Sequence, residues 1–325
     1  MSDKIQDPAE PDRQVIDCIE RAEQRAKGDD RAFVRYLNEC YAMAVSTRRL
    51  RSIPIAAAQV DRTPKSLQLL SDPRYLKNVR ELARRTRGGK RIVGGTPVAK
   101  KDFLDCVAVG SDNAWGCTGT LIAPDVVVTA GHCENCATRV FFGNDVTRNG
   151  RIVSVKSRSR HPDYGPDGRN DLLILILAER VENIAPRKIA DKAIVDSATD
   201  GRVVGFGNTD PHGMEGYGIK RQVDIAIASP SCEGALEGVA DSERYRCFAG
   251  LEFVAGKPLL AKDSCTGDSG GPFYVAGSGG EWLIAGATSR ATNASANDCG
   301  DGGIYVRVER YLSWIRQLPG VALPQ

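Results

Sequence analysis

Three short segments of this chain hold residue types that can act together on an acyl group. In Thr266-Gly267-Asp268-Ser269-Gly270-Gly271-Pro272 a serine stands among glycines. A serine hydroxyl is a poor nucleophile at neutral pH. It needs a base within hydrogen-bond reach and N–H donors aimed at the oxyanion it creates, and flanking glycines permit a tight turn that exposes both. Thr129-Ala130-Gly131-His132-Cys133 puts a histidine at the end of an apolar strand, and Asn170-Asp171-Leu172-Leu173-Ile174-Leu175 puts an aspartate at the start of another. Taken alone they have ordinary readings: a serine in a glycine-rich turn is usually just a turn residue, and an aspartate before a strand usually a cap. Together they supply a nucleophile, a base and a carboxylate to orient the base. The other histidines, His161 and His212, lie beside proline in loop-like sequence and read as loop residues.

Such residues need a scaffold that brings distant stretches to one place. From Ile92 onward, short β-rich runs at 121–122, 126–129, 139–142, 151–155, 172–177, 202–206, 223–228 and 282–287 are separated by Gly, Pro, Asn and Asp clusters. That pattern predicts an all-β sandwich or barrel, closed by a helix over 308–317 that carries Trp314 and Ile315. Upstream, 14–45 reads as two amphipathic helices broken at Gly28-Asp29-Asp30, one presenting Val15, Ile19 and Ala22 and the other Phe33, Tyr36, Leu37, Cys40, Tyr41 and Ala44. Pro54, Pro64 and Pro73 punctuate shorter apolar stretches after them, and Tyr75, Leu76, Val79 and Leu82 return to helical spacing. Residues 1–87 therefore read as a small all-helical pro-domain or interaction module, 88–91 as an exposed basic linker, and 92–325 as the β-rich domain.

With 325 residues, 42% of them hydrophobic, the chain can bury a core and make about two domains. Its longest apolar runs, such as 172–178, fall far short of the roughly 18 residues of a membrane span, so no transmembrane helix and no membrane partner is expected. Residues 1–91 hold 20 Lys and Arg against 13 Asp and Glu, a balance of +7, and the remaining 24 against 28 give −4. The basic part reads as a solvated helical surface, with an anionic partner or a docking surface as the alternative; nucleic acid is not expected.

The motifs in their order resemble those of the chymotrypsin-like (trypsin family) serine proteases. Ile92-Val93-Gly94-Gly95 comes first, then the histidine, aspartate and serine segments, then Tyr311-Leu312-Ser313-Trp314-Ile315. The resemblance covers Ile92 to Gln325 and implies two six-stranded antiparallel barrels with a cleft between them. It implies Ser269 as nucleophile, His132 as general base and acid, Asp171 as the residue that fixes the imidazole tautomer, and the amides of Gly267 and Ser269 as oxyanion hole. Asp263, with Ser264, falls where trypsin-like members keep a carboxylate at the floor of the primary pocket, which would select Arg or Lys before the cut bond. Gly303 would keep that pocket open, and Ser289 would line it. Where the family typically reads Ser-Trp-Gly this chain has Ser289-Arg290-Ala291, so a guanidinium near the cleft would disfavour basic residues further upstream in the substrate. A cut after Arg91 would free the Ile92 amine to pair with Asp268.

Ten cysteines suit disulfides in an oxidising compartment. The resemblance implies Cys117–Cys133, Cys232–Cys247 and Cys265–Cys299, and a further family bridge is lost at both ends, near Gly201 and Val275. Cys106 and Cys136 are left over in the protease domain and could pair. Cys18 and Cys40 each stand eleven residues from Asp29, so antiparallel helices would set them opposite one another, with free thiols as the alternative. Cys133-Glu134-Asn135-Cys136 has CxxC spacing, but a sulfur already bridged is no ligand; no metal and no cofactor is expected.

The expectation is a serine endopeptidase cleaving after Arg or Lys, made as a zymogen activated between Arg91 and Ile92. Its partners would be protein or peptide substrates, an activating protease (this enzyme itself or another), and a protein bound by residues 1–87. In one alternative, the helical segment is a permanent interaction module of a regulated processing protease; in another class, the whole chain is a non-catalytic binding protein on a protease scaffold. The cysteines favour a secreted or periplasmic location. The first 30 residues hold no continuous apolar segment of the kind a signal peptide requires, which leaves the cytoplasm as the alternative.

Overall fold

The computed structural model describes residues 21, 22, 24–27, 32, 36, 69, 72–86, 96–208, 216–256, 267–292 and 302–324. Arg91, Ile92, Asp263, Ser264, His212 and the pairs Cys18–Cys40 and Cys265–Cys299 lie outside the described residues, as does the linker 88–91.

Among the described residues, fifteen strands follow the N-terminal helix Pro73–Thr86: β1 Thr96–Pro97, β2 Cys106–Gly110, β3 Cys117–Ala123, β4 Val126–Thr129, β5 Arg139–Phe142, β6 Arg151–Arg160, β7 Leu173–Leu177, β8 Asp200–Gly205, β9 Arg221–Ser229, β10 Ala235–Leu236, β11 Val239–Ala240, β12 Glu252–Gly256, β13 Pro272–Ala276, β14 Trp282–Ala291 and β15 Gly303–Arg307. Strands β2-β3-β4-β7-β6-β5 close into one antiparallel barrel. The second sheet runs β1-β9-β12-β15-β14-β13-β8, and because β8 also pairs with β9 its last six strands close as well, with β1 added outside. This is the double six-stranded barrel that the sequence motifs implied. The sequence pattern passed over the two-residue strands β1, β10 and β11, and also β2, β12, β13 and β15, which are buried along nearly their whole length and abut glycine, so they show no apolar–polar alternation.

Period-two packing explains why several strands are apolar on both faces. In β2, β4 and β7 the residues Val107, Val109, Val127, Leu173 and Leu175 fill the first barrel, while Cys106, Ala108, Val126, Val128 and Ile174 face outward. That outer face meets Val204, Phe206, Tyr274, Ile284 and Val306 of the second barrel. The alternate residues of those strands and of β12, among them Val203, Phe253, Phe273, Val275 and Tyr305, fill the second barrel. Each such side chain contributes about 1.5–3 kcal/mol by leaving water, so the barrels are held together by the same physics that fills them. Ile315 of the C-terminal helix Leu312–Gln317 seals the cluster between them.

Candidate active site

The β4–β7 register places two of the candidate residues together. Thr129 opposes Leu173 across the ladder. His132 lies three residues beyond Thr129, in the 3-10 turn Gly131–Cys136, and Asp171 two before Leu173, so both emerge at one end of the pair. Asp171 accepts the His132 backbone N–H at Oδ1 (2.9 Å), and its Oδ2 lies 2.8 Å from Nδ1 of the same ring. Gly131 eases the approach, since a Cβ there would stand 3.1 Å from Asp171 Oδ1, a tight contact that the carboxylate would have to yield to by a few tenths of an ångström. Asn170 takes the left-handed conformation (φ 54°), which asparagine tolerates, and accepts the Tyr311 hydroxyl at 2.9 Å, tying the aspartate's loop to the C-terminal element.

A third group reaches Asp171 from the other barrel. Ser289 on β14 donates its hydroxyl to Oδ2 at 2.6 Å. Burial pushes the Asp171 carboxyl up, but the bonds from His132 and Ser289 outweigh this and hold it below the usual carboxylate value. A carboxylate that stays ionised and holds Nδ1 of an imidazole leaves Nε2 free to take a proton. Ser289 stood among the expected pocket residues; its bond to Asp171 carries no signal in sequence.

Ser269 sits in the turn between Gly267 (φ 100°) and Gly270 (φ 76°). Thr118 on β3 holds this turn against the first barrel: its N–H donates to Ser269 O and its hydroxyl to Gly267 O, both at 2.8 Å. A Cβ on Gly270 would lie 2.0 Å from Thr129 Oγ1 and 2.5 Å from Ala130 N, so only glycine lets the serine turn close onto the strand that carries His132. Sequence reasoning missed Thr118, because nothing in Cys117-Thr118-Gly119 marks it. Asp268, beside the serine, is buried, with Oδ1 accepting the Gly207 N–H at 2.8 Å. A side chain on Gly205 or Gly207 would collide with its carboxylate.

Cys117 bonds Cys133, bracing the histidine turn, and Cys232 bonds Cys247. Cys106 and Cys136 are not joined, contrary to the pairing open to them in the sequence. Cys106 is buried between the barrels, its Sγ 3.6 Å from Val204 O, whereas Cys136 lies beside the Cys117–Cys133 bridge, 3.9 Å from Cys117 Sγ. The ligand atoms of Cys117, His132 and Cys133 lie within 4.8 Å of one another, yet the two sulfurs are bonded to each other and have no thiolate to offer a metal.

Arg290 does not stand free at the cleft. It grips the buried Glu252 through Nη1 (2.6 Å) and Nη2 (2.9 Å), and its guanidinium lies 5.1 Å from the Phe248 ring centre. With its charge matched, the repulsion of basic substrate residues expected from the sequence should be small.

The Trypsin family model matches residues 92–315. The chain belongs to the trypsin family. Among similar proteins of this family, Trypsin 5G1 of Aedes aegypti is 30% identical over 72% of this chain and 87% of its own length. Tonin of Rattus norvegicus is 29% identical, covering 71% and 90% of the two chains, and Cationic trypsin-3 of the same species 29%, covering 70% and 89%. As a trypsin-family protein the chain is a serine endopeptidase, and the two bridges among the described residues suit an oxidising compartment.

Proposed function

We propose that this trypsin-family endopeptidase cleaves protein or peptide substrates after Arg or Lys, with Ser269, His132 and Asp171 as its triad, and that cutting between Arg91 and Ile92 activates it. The observation that carries the reading is the Asp171–His132 pair, bonded through both backbone and ring, on the strand end against which the Ser269 turn closes. In the reaction Ser269 Oγ attacks the scissile carbonyl as His132 Nε2 takes its proton. The amides of Gly267 and Ser269 receive the oxyanion. His132 then protonates the leaving amine, and water hydrolyses the acyl-enzyme by the same steps.

Specificity rests on Asp263, six residues before the serine, which pairs with a substrate cation, and on Gly303, buried where β15 starts between Ala255 and Ala291. Activation rests on Asp268, already buried beside Ser269, which the Ile92 amine would reach once freed. Another trypsin-like protease or the enzyme itself could make the cut. The bridged cysteines support a secreted or periplasmic site of action.

The test is a peptide-library profile of the protein before and after a trypsin-like cut, with N-terminal sequencing. The expected result is hydrolysis after Arg and Lys only in protein whose new terminus reads Ile-Val-Gly-Gly, lost in Arg91→Gln. Preference for Phe or Leu would refute Asp263 as the selector, and full activity in a chain beginning before Ile92 would refute the switch.

A further inference from the structure

We propose that residues 69–86 are a lasting part of the protease rather than a propeptide that leaves, and that Leu69 and Tyr75 are positioning residues for the specificity pocket. The inference rests on the activation cut and pocket location proposed above.

Ala226, Ala228, Val254 and Ile304 point outward from the second barrel, yet all are buried. Leu69, Tyr75, Leu76 and Val79 cover them, backed by Ala22 and Ala26. The polar contacts are of the kind found inside a domain. Tyr75, with no exposed surface, donates its hydroxyl to Gly256 O at 2.9 Å, and Asn78 Nδ2 donates to Ile227 O at 2.9 Å. Arg74 joins two buried carboxylates, Asp72 of its own segment (Nη2, 2.6 Å) and Asp241 of the protease domain (Nη2, 2.7 Å; Nη1, 3.1 Å). Tyr245 and Ser229 of the protease domain complete the set, donating to Asp72 at 2.8 Å and to Asp241 at 2.7 Å. Departure of the helix would uncover an apolar sheet face and strip Asp241 of its guanidinium, leaving a carboxylate without its cation.

Leu69 links this packing to the pocket. A Cβ on Gly256 would stand 2.8 Å from Leu69 Cδ1, and one on Gly302 2.5 Å from the same atom, so the leucine lies directly against backbone at the end of β12 and the start of β15. Gly303 is the next residue, paired to Ala255 and Ala291. Tyr75 holds the Gly256 carbonyl of the same junction.

The experiment uses the full chain. After the cut, verified by a terminus at Ile92, size exclusion in the presence of reductant should show the helical fragment co-eluting one-to-one with the protease domain; separate elution overturns lasting association. If sequencing finds no cut, the activation reading fails by itself, and hydrogen exchange on the intact chain then decides docking. Amides of 75–86 should be protected like those of β9, and fast exchange there overturns it. Leu69→Ala and Tyr75→Phe should each raise KM for the best amide substrate about tenfold while changing kcat less than about twofold. Tyr75→Phe removes one hydroxyl and keeps the ring, so it remains informative if Leu69→Ala folds poorly. Unchanged KM in Tyr75→Phe with the fragment still bound overturns the positioning role.

Discussion

At the scale of single residues, the candidate site depends on which group holds which atom. Asp171 bonds a backbone N–H, a ring nitrogen and a hydroxyl, so replacing its carboxylate disturbs the imidazole tautomer before it disturbs packing. Asp171→Asn should lower kcat by about 10⁴ with near-normal unfolding temperature, and Ser269→Ala should abolish hydrolysis altogether. Steady-state kinetics on protein freed of contaminating protease checks both; normal turnover in either would remove that residue from the mechanism. The two free thiols among the described residues should differ as their surroundings do. Burial pushes both up, but Cys106 is enclosed completely and Cys136 is half-buried. Under native conditions iodoacetamide should label Cys136 slowly and Cys106 only after unfolding, as read by peptide mass spectrometry.

At the scale of elements, the N-terminal helix gains its place from one capping residue. Asp72 accepts the Arg74 N–H at 2.9 Å ahead of Pro73, an arrangement that starts a helix, and the same carboxylate takes the Arg74 guanidinium and the Tyr245 hydroxyl. Burial pushes the Asp72 carboxyl up, and these bonds bring it below its ordinary value of 3.8. A carboxyl whose folded-state pKa is depressed stabilises the fold above its unfolded pKa and loses that contribution as the pH falls through the folded value. Asp72→Asn should therefore cost about 1–3 kcal/mol near neutrality, reduced by the partial exposure of Arg74. The gap in Tm between wild type and variant should narrow on acidification below the ordinary carboxylate value. A gap that stays constant from neutral pH into the acid range would show that Asp72 acts by packing alone.

At the scale of the whole molecule, polar pins accompany the apolar contact between the barrels. Asp105, ahead of β2, accepts the Tyr274 hydroxyl at 2.6 Å and the Arg187 Nε at 2.9 Å, and Arg187 also donates to Trp282 O at 3.0 Å. Lys220, buried, donates to Phe103 O at 2.9 Å. Asp105→Ala would leave the Arg187 cation without its carboxylate and should destabilise the protein by about 3–5 kcal/mol in urea unfolding. Because Ser289 reaches Asp171 from the second barrel, a slip of one barrel on the other should also lower kcat. A destabilised variant with unchanged kcat would show that the barrels keep their register through apolar packing alone.

The sequence by itself determined the local chemistry. Ser269 between glycines, His132 after an apolar run and Asp171 before one are readable because the backbone constraints on them are short-range: a turn needs glycine, and a strand end needs an apolar run. The family order and the β-rich character of 92–325 were legible for the same reason. Tertiary structure alone decided which side chains meet across long separations. It gave Ser289 to Asp171, Glu252 to Arg290 and Thr118 to the serine turn, and it set Cys106 and Cys136 in different surroundings when their count allowed a bond. It also turned the amphipathic spacing of Tyr75, Leu76 and Val79 into a specific contact with β9, β12 and β15. An apolar helical face declares that it must be covered but not by what, because burial is non-directional and the partner is chosen only when the barrel beneath it exists.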